Sequence, residues 1–346
     1  MEKNDIIRWL RTYDGKPVRI MEVCGTHTAC LYKTGLRQIL SPKIRLLSGP
    51  GCPVCVTPTS YIDKLVEYAF KEGHKVLSFG DMLSVPGTEM SLAEARDNGA
   101  SVDFFYGPEE ALQKAKEEPE MQFVLAAVGF ETTAPVWATV VKEADRLGLA
   151  NIKFLTALKT MPETLGRLCE NGNIDGFLCP GHVAVITGAD SYEALAQTYH
   201  KPMVIGGFTS DLLLRAVAQL VVAANKGQGG FWNDYESVVT AEGNTEAWGR
   251  VLDIFQKGDA AWRGLGVVPA SGLYLKGKYA AYDAGSKGLL ADHIPANCQC
   301  GKILLGEKMP RECSHFGRTC TPEHPVGACM VSGEGACSIT LREEGL

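Results

Sequence analysis

Short apolar runs that alternate with helix-like segments restrict the fold of this chain more than any other feature of its sequence. Residues 18–23, 44–47, 75–79 and 123–128 are each typical of a buried strand. Residues 59–71 carry apolar side chains at helical spacing and follow a proline that suits a first turn. Strands that alternate with helices form parallel sheets, so the sequence predicts an α/β fold.

Two stretches of the chain resemble each other, and this internal similarity predicts a pair of related domains. Residues 22–28 correspond to residues 127–133, since both follow an apolar strand and precede a helix. Further along, Pro-Gly-Cys at 50–52 corresponds to Pro-Gly-His at 180–182. Ligands of open parallel sheets bind outside the carboxyl ends of the strands. We therefore expect two similar parallel-sheet domains that face each other across a cleft lined by these motif loops.

The predicted domain boundaries follow from this repeat. The first α/β domain is expected at residues 15–120 and the second at residues 121–230. The alternation then fades, so residues 231–346 are expected to form a third, cysteine-rich domain, with an N-terminal helix at residues 1–14 packed on it. The Gly- and Pro-rich end has little apolar periodicity, so a metal or a cluster would be needed to fold it.

Charge and hydropathy argue against a nucleic-acid-binding protein and against a membrane-spanning one. The formal net charge is −6, which argues against the basic surface that nucleic-acid binding usually needs. The longest apolar stretch, residues 212–224, is interrupted by polar side chains and is too short to cross a bilayer. The N-terminus is charged throughout, unlike a secretory signal. We therefore expect a cytoplasmic protein that binds proteins or small molecules.

Twelve cysteines are too many for a cytoplasmic chain unless they bind metal or carry out redox chemistry. Six of them lie near the C-terminus: Cys298, Cys300, Cys313, Cys320, Cys329 and Cys337. A four-iron four-sulfur cluster needs four thiolates, which leaves two over. One choice of four is Cys298, Cys313, Cys320 and Cys337. Spacing alone does not select this set, and a structural zinc site remains the alternative.

Cys52 and Cys55 form a C-x-x-C motif between a Gly-Pro-Gly turn and the predicted helix at 59–71. A helix N-terminus lowers the pKa of nearby thiols, which favours redox activity or metal binding. The alternative is a pair of incidental buried cysteines.

Cys24 and His27 lie on a tight loop directly after the first predicted strand. A thiol and an imidazole at this spacing are suited to binding a soft metal or to acting as a nucleophile and its base. His27 has a simpler alternative role as a local hydrogen-bond partner.

Asp81, Glu131 and His182 each follow a predicted strand. Polar side chains at these places are candidates for a site, although they also commonly cap helices or brace loops. His182 gains support from its correspondence to Cys52 in the repeat. The remaining cysteines fall in helix or strand patterns and are expected in the core: Cys30, Cys169 and Cys179.

Six motifs together identify a resemblance to a known family. They are MEVCGTHT at 21–28, GPGCPVC at 49–55, FGDM at 79–82, GFETT at 129–133, PGHV at 180–183 and CTPEHPVGACM at 320–330. With these motifs the sequence resembles the HypD family of hydrogenase maturation proteins over nearly its whole length. The resemblance implies that this chain forms a complex with the small chaperone HypC, and that this complex assembles the iron centre of nickel-iron hydrogenase. That iron carries two cyanides and one carbon monoxide, and HypE delivers the cyanide.

The resemblance also assigns roles to the sulfur residues. Cys24 would hold the nascent iron together with a cysteine of HypC, His27 would lie beside it, and Cys52 and Cys55 would be the essential C-x-x-C pair. The implied cluster ligands are Cys298, Cys313, Cys320 and Cys337. Cys300 and Cys329 would form a neighbouring dithiol like that of ferredoxin-thioredoxin reductases.

Two other functions remain open at this stage. One is an iron-sulfur thiol-disulfide oxidoreductase, which would have no need of Cys24. The other is a zinc-stabilised binding module, which would be colourless and free of iron. The sequence has no G-x-x-x-x-G-K-[ST] phosphate loop, so nothing in it supports nucleotide hydrolysis.

Overall fold

The structure is a computed structural model that describes residues 2–345. Within these residues the chain forms strands at β1 (Val18–Glu22), β2 (Ile44–Ser48), β3 (His74–Ser78), β4 (Val102–Phe104), β5 (Gln122–Gly129), β6 (Ile152–Lys159), β7 (Gly176–Cys179), β8 (Pro202–Ile205), β9 (Gly230–Asn233), β10 (Phe255–Trp262) and β11 (Gly266–Leu275). The four predicted strands are confirmed to within a residue or two at each end.

Helices connect most of these strands. They are α1 (Lys3–Arg11), α2 (Gly25–Lys33), α3 (Leu36–Ile39), α4 (Thr59–Phe70), α5 (Gly80–Leu83), α6 (Leu92–Asp97), α7 (Glu109–Glu117), α8 (Ala134–Arg146), α9 (Met161–Cys169), α10 (Gly181–Thr187), α11 (Asp190–Tyr199), α12 (Ser210–Lys226), α13 (Thr245–Ile254), α14 (Cys300–Leu304) and α15 (Ala336–Glu344). The predicted helix at 59–71 is confirmed as α4. The spacing of Ser91 and Glu94 predicts a capping box, and α6 begins with one.

The strands form two sheets, and parallel pairing dominates both. The first sheet has the order β2-β1-β7-β8-β9, and all of its neighbours are parallel. The second has the order β10-β11-β6-β5-β3-β4, in which β6, β5, β3 and β4 are parallel and the β10–β11 hairpin is antiparallel. The predicted α/β class is confirmed.

The two sheets do not divide the chain at residue 120. The strands of residues 15–120 are shared between the sheets, because β1 and β2 belong to the first and β3 and β4 to the second. The strands of residues 121–230 are likewise shared. The predicted boundary between residues 15–120 and residues 121–230 is therefore wrong, because it does not separate the two sheets. An apolar run shows that a strand is buried, but the choice of its neighbour depends on packing between distant segments.

The N-terminal helix packs elsewhere than expected. Helix α1 contacts α12 and α3 beside the first sheet, not the C-terminal region. Its apolar side buries Leu10 completely in the core around α12, and Lys3 pairs with Asp211 of α12 at 2.6 Å. The expectation that residues 1–14 pack on the cysteine-rich region is corrected. No helix in residues 2–345 has both the length and the apolarity needed to cross a membrane.

The predicted third domain at 231–346 is also smaller than expected. Its first part completes the two sheets, because β9 extends the first sheet and the β10–β11 hairpin extends the second. Trp262, in β10, is fully buried and stacks on Phe130 at 5.7 Å. The part after about residue 286 contains only α14, α15, short 3-10 turns and an isolated bridge between Phe316 and Cys320. We call residues 286–345 the cysteine-rich segment.

Candidate functional site

Five of the residues singled out in the sequence follow the carboxyl ends of parallel strands. Cys24 follows β1, Cys52 follows β2 and Asp81 follows β3. Glu131 follows β5, and His182 follows β7. This placement is the one at which open parallel sheets bind ligands.

Cys24 is a buried thiol at the start of a helix. It is the N-cap residue of α2, and the backbone N–H groups of Thr26 and His27 stabilise its thiolate. Burial outweighs them and raises the pKa of Cys24 to about 11, and Glu334 raises this pKa further. The thiol is therefore protonated at neutral pH unless a metal displaces its proton.

The Cys24 loop lies directly against the loop that carries the C-x-x-C motif. The N–H of Gly25 donates to the carbonyl of Gly51 at 3.3 Å. A Cβ on Gly51 would lie 2.5 Å from the Cα of Cys24, so only glycine fits at this position.

The backbone N–H of His27 contacts Cys24, whereas its ring contacts a different loop. The ring is fully buried, and its Nε2 lies 3.1 Å from the carbonyl of Gly206, so Nε2 is the donor and Nδ1 is left without a partner. Burial lowers the pKa of His27 to about 4, so the ring is neutral at neutral pH. The ring therefore bonds to a loop that is distant in the sequence and not to its neighbours in the Cys24 loop.

Phe208 was missed by the sequence reasoning, although it organises this part of the site. Its ring lies between two imidazoles, with centroids 4.5 Å from that of His27 and 4.0 Å from that of His182. His182 is partly open to solvent, and the burial of the rest of its side chain lowers its pKa. The loop after β8 thus holds both histidines in a stack.

Cys52 and Cys55 are joined by a disulfide, with their Cα atoms 5.3 Å apart. Both are buried, and the N–H of Cys55 donates to the Sγ of Cys52 at 3.2 Å. A Cβ on Gly335 would lie 3.1 Å from the Sγ of Cys55 and 2.8 Å from the carbonyl carbon of Cys329. The disulfide therefore packs directly against the cysteine-rich segment.

Glu334 is a further residue that the sequence reasoning missed. A Cβ on Gly25 would lie 2.7 Å from the Cβ of Glu334, and the carboxyl group bonds to the Thr26 side chain. Partial burial and the nearby Asp81 raise the pKa of Glu334. Its position between two glycines, in Ser-Gly-Glu-Gly at 332–335, is the signal that could have marked it.

Glu131 is fully buried, and its two carboxyl oxygens differ in their hydrogen bonding. Its Oε1 accepts the N–H of Met161 at 2.7 Å at the start of α9, whereas Oε2 has no partner. Burial raises its pKa to about 8. The hydroxyl of Tyr192 is also buried and unpaired, and its pKa is raised by burial and by the charges of Glu131 and Cys24 among others. One oxygen of Glu131 therefore holds the start of α9.

The six C-terminal thiols lie close together. The Cys300 thiol lies beside those of Cys298, Cys329 and Cys337, which lower its pKa. A Cβ on Gly327 would lie 2.5 Å from the Sγ of Cys300 and 2.7 Å from that of Cys298. The Sγ atoms of Cys298 and Cys300 thus lie on the same side of Gly327. Contacts alone do not divide the six into four cluster ligands and one pair.

The remaining two of these thiols adjoin the same group. The N–H of Val326 donates to the Sγ of Cys320 at 3.3 Å. Burial is the main cause that raises the pKa of Cys320, and the charge of Cys313 adds to it. In residues 2–345 no three Cys, His, Asp or Glu side chains are arranged around the position of a single metal ion. A cluster of four irons needs a wider set, because each thiolate binds a different iron. The residues present fit such a cluster, because the thiols are closely grouped, a glycine lies beside two of them, and a backbone N–H donates to a third.

The other cysteines lie in the packed structure. Cys169 and Cys179 are buried, as expected, and burial raises the pKa of each. Cys30 is only half-buried on α2, so its assignment to the core is corrected.

Comparison with known proteins identifies the family. Residues 3–344 match the family described as "HypD: Hydrogenase formation hypA family". Hydrogenase maturation factor HypD of Escherichia coli (strain K12) is 40% identical over 329 residues, which cover 93% of this chain and 88% of that protein. Hydrogenase maturation factor HypD of Rhodobacter capsulatus is 38% identical over 333 residues, with the same coverage of both chains. The chain therefore belongs to the HypD family.

Proposed function

We propose that this chain is a cytoplasmic hydrogenase maturation factor that holds an iron ion at Cys24 while cyanide and carbon monoxide are added to it. A HypC-like small chaperone supplies a second thiolate, and a HypE-like protein donates the cyanide. The observation that carries the proposal is the contact of the Cys24 loop with both the C-x-x-C loop and the cysteine-rich segment. One thiol for the iron and a disulfide for redox chemistry thus lie side by side.

The surroundings of Cys24 suit the retention of iron. Thiolate is a soft ligand, and metal binding replaces the proton that burial otherwise keeps on the thiol. The N–H groups of Thr26 and His27 stabilise the resulting negative charge. The neutral ring of His27 leaves Nδ1 as a hydrogen-bond acceptor with no partner in residues 2–345.

The cysteine-rich segment suits a redox role. Cys298, Cys313, Cys320 and Cys337 would hold a four-iron four-sulfur cluster, which supplies single electrons when bound. Cys300 and Cys329 would act as the neighbouring dithiol. In thiol-disulfide exchange, the thiols of Cys300 and Cys329 become joined in a disulfide, and the disulfide between Cys52 and Cys55 is broken. Two electrons and two protons pass to Cys52 and Cys55.

A second function is supported by the same disulfide. A thiol-disulfide oxidoreductase resembling ferredoxin-thioredoxin reductase would also place a buried disulfide against a cysteine-rich segment. It would have no use for Cys24. The two functions therefore differ in what the loss of Cys24 does.

The test is anaerobic iron, sulfide and infrared analysis of the protein co-expressed with its small partner. We expect cyanide and carbonyl stretches in the wild type that disappear in Cys24→Ala, while about four irons and four sulfides per chain remain. Cys30→Ala is the matched control, because Cys30 lies on the same helix but is half-buried elsewhere, and it should keep the stretches. Stretches that survive in Cys24→Ala would exclude Cys24 as the required ligand. A wild type with a cluster but no stretches would favour the oxidoreductase.

A further inference from the structure

Helix α15 carries the thiol of Cys337 in its first turn and packs against α2, the helix that begins directly after Cys24. A buried hydrogen bond joins the two helices. The Oη of Tyr32 on α2 lies 3.2 Å from the Oγ1 of Thr340 on α15, and both side chains are buried. Within residues 2–345, no other side-chain hydrogen bond joins α15 to either sheet or to the helices that connect the strands.

Tyr32 is the donor in this bond. Thr340 has one hydroxyl proton, which it donates to the carbonyl of Ala336 at 2.7 Å. The Thr340 oxygen is therefore left to accept the proton of the Tyr32 hydroxyl. Ala336 directly precedes Cys337 in the first turn of α15. The bond from Tyr32 thus reaches the turn of backbone that carries the Cys337 thiol.

The first sheet holds Tyr32 from its other side. The guanidinium carbon of Arg37 lies 4.7 Å from the centroid of the Tyr32 ring. Arg37 also donates to the carbonyl of Leu46 at 2.9 Å and pairs with the buried carboxylate of Glu22. Leu46 belongs to β2 and Glu22 to β1, which are paired strands. Tyr32 therefore rests on a region that parallel strand pairing builds without any thiol.

The cysteine-rich segment itself holds α15 less firmly. It has little regular structure, and its side-chain link to α15 is an ion pair between Glu344 and the exposed Arg311. An exposed ion pair contributes little to stability, whereas a buried hydroxyl that loses its acceptor is unfavourable. The contact with Tyr32 is thus the better defined support of α15.

We propose that Tyr32 is a positioning residue that holds the first turn of α15 against α2 and so places the Cys337 thiol for cluster binding. The sheet side of the molecule then presents one ordered ligand to a segment that otherwise depends on what its thiols bind. A ligand that is already ordered lowers the conformational cost of binding and slows release of the bound group. This inference rests on the proposed function, in which Cys337 is a cluster ligand.

The test is the rate at which the cluster-loaded full chain loses its cluster to excess iron chelator, followed anaerobically by visible absorption. Tyr32→Phe removes the hydroxyl and keeps the ring, so we expect loss about fivefold faster, the effect of one net hydrogen bond. Tyr13→Phe is the matched control, because the buried Tyr13 donates to the carbonyl of Lys16 at 2.8 Å beside α1, and its rate should be that of the wild type. A wild-type rate in folded Tyr32→Phe would overturn the inference.

Substitutions of Thr340 distinguish the placement of α15 from general loosening. Thr340→Val removes the acceptor and should also speed cluster loss, whereas Thr340→Ser keeps the hydroxyl and should keep the slow rate. The double variant with Tyr32→Phe should be no faster than Thr340→Val, because both changes remove the same bond. These variants also decide the matter if Tyr32→Phe does not fold, as judged by circular dichroism. Equal rates for Thr340→Val and Thr340→Ser would contradict the role of Tyr32.

Hydrogen exchange provides a readout that does not depend on cluster chemistry. In the cluster-loaded chain, Tyr32→Phe should speed exchange of the α15 amides and leave those of β5 and β6 unchanged. Faster exchange in all three elements would indicate a loss of global stability and would overturn the positioning role.

Cys337→Ser separates this inference from the proposed function. If Cys337→Ser still binds about four irons and four sulfides per chain, the proposed ligand set is wrong and the role of Tyr32 falls with it. If the cluster is absent in Cys337→Ser but leaves Tyr32→Phe at the wild-type rate, only the role of Tyr32 is overturned.

Discussion

The Cys24 loop and the cysteine-rich segment both present thiols, but they are supported in different ways. Cys24 lies at the carboxyl end of a parallel sheet, where β1 is flanked by β2 and β7 and the loop is held by backbone bonds. The cysteine-rich segment has short helices, and buried sulfur side chains form much of its core. The difference suggests that the first site is preformed, whereas the second depends on what its thiols bind.

Removal of the cluster should give the largest effect and should separate the two regions. Metal binding supplies on the order of 10 kcal/mol to the folding of small metal-stabilised domains, and the cysteine-rich segment has little regular structure to replace it. After oxidative loss and chelation of the iron, amide hydrogens of residues 286–345 should lose protection. Those of β5 and β6 should keep theirs. Equal loss in both regions, measured by hydrogen exchange, would contradict the comparison.

Gly51→Ala should give the next largest effect, because it tests how closely the Cys24 loop is packed. The added Cβ would lie 2.5 Å from the Cα of Cys24, which is backbone and has little room to move. We expect a loss of about 3 kcal/mol in the free energy of unfolding, measured in urea, together with loss of iron from Cys24. Gly172→Ala is the matched control, since nothing lies within 4 Å of its Cβ. A stable Gly51→Ala protein would show that the loop is loose.

Glu131→Gln should reveal the pH dependence of the sheet region. Burial raises the pKa of Glu131 to about 8 from 4.5, so the folded chain holds a proton that the unfolded chain has lost. The free energy of unfolding of the wild type should therefore fall as the pH rises from about 4.5 to about 8. Glu131→Gln cannot ionise and can still accept the Met161 N–H, so it should be more stable than the wild type by roughly 4 kcal/mol at pH 8 and similar at pH 4.5. Parallel stability curves would rule out a buried ionisable Glu131.

Glu334→Gln should have the smallest effect, and it tests the contact between the two regions. Glu334 belongs to the cysteine-rich segment and raises the pKa of Cys24. Its neutral replacement should lower that pKa, so iodoacetamide should alkylate Cys24 about two- to threefold faster near pH 9. Glu323→Gln is a suitable control, because Glu323 lies in the same segment and its side chain is exposed. Equal rates would indicate that the segment does not cover the loop in solution.

The candidate site could be predicted from the sequence largely through its local motifs. Cys24, Cys52 and His182 were found because chemically distinctive residues follow apolar strands, and the carboxyl ends of parallel strands bind ligands. Phe208 and Glu334 were missed. Each acts through a neighbour that is distant in the sequence, Phe208 beside two histidines and Glu334 beside Thr26, and the glycines around Glu334 are the only local signal.

The sequence by itself determined four of the strands, the α/β class, the motif loops and the family, because apolar periodicity and residue spacing are local properties of the chain. Only the tertiary structure decided which strands share a sheet, where α1 packs and which side chains surround the thiols. These choices depend on burial between segments far apart in the sequence. Arg263, directly after β10, illustrates the limit, because only packing buries its side chain and brings its Nε to the carbonyl of Thr57, just after the C-x-x-C motif.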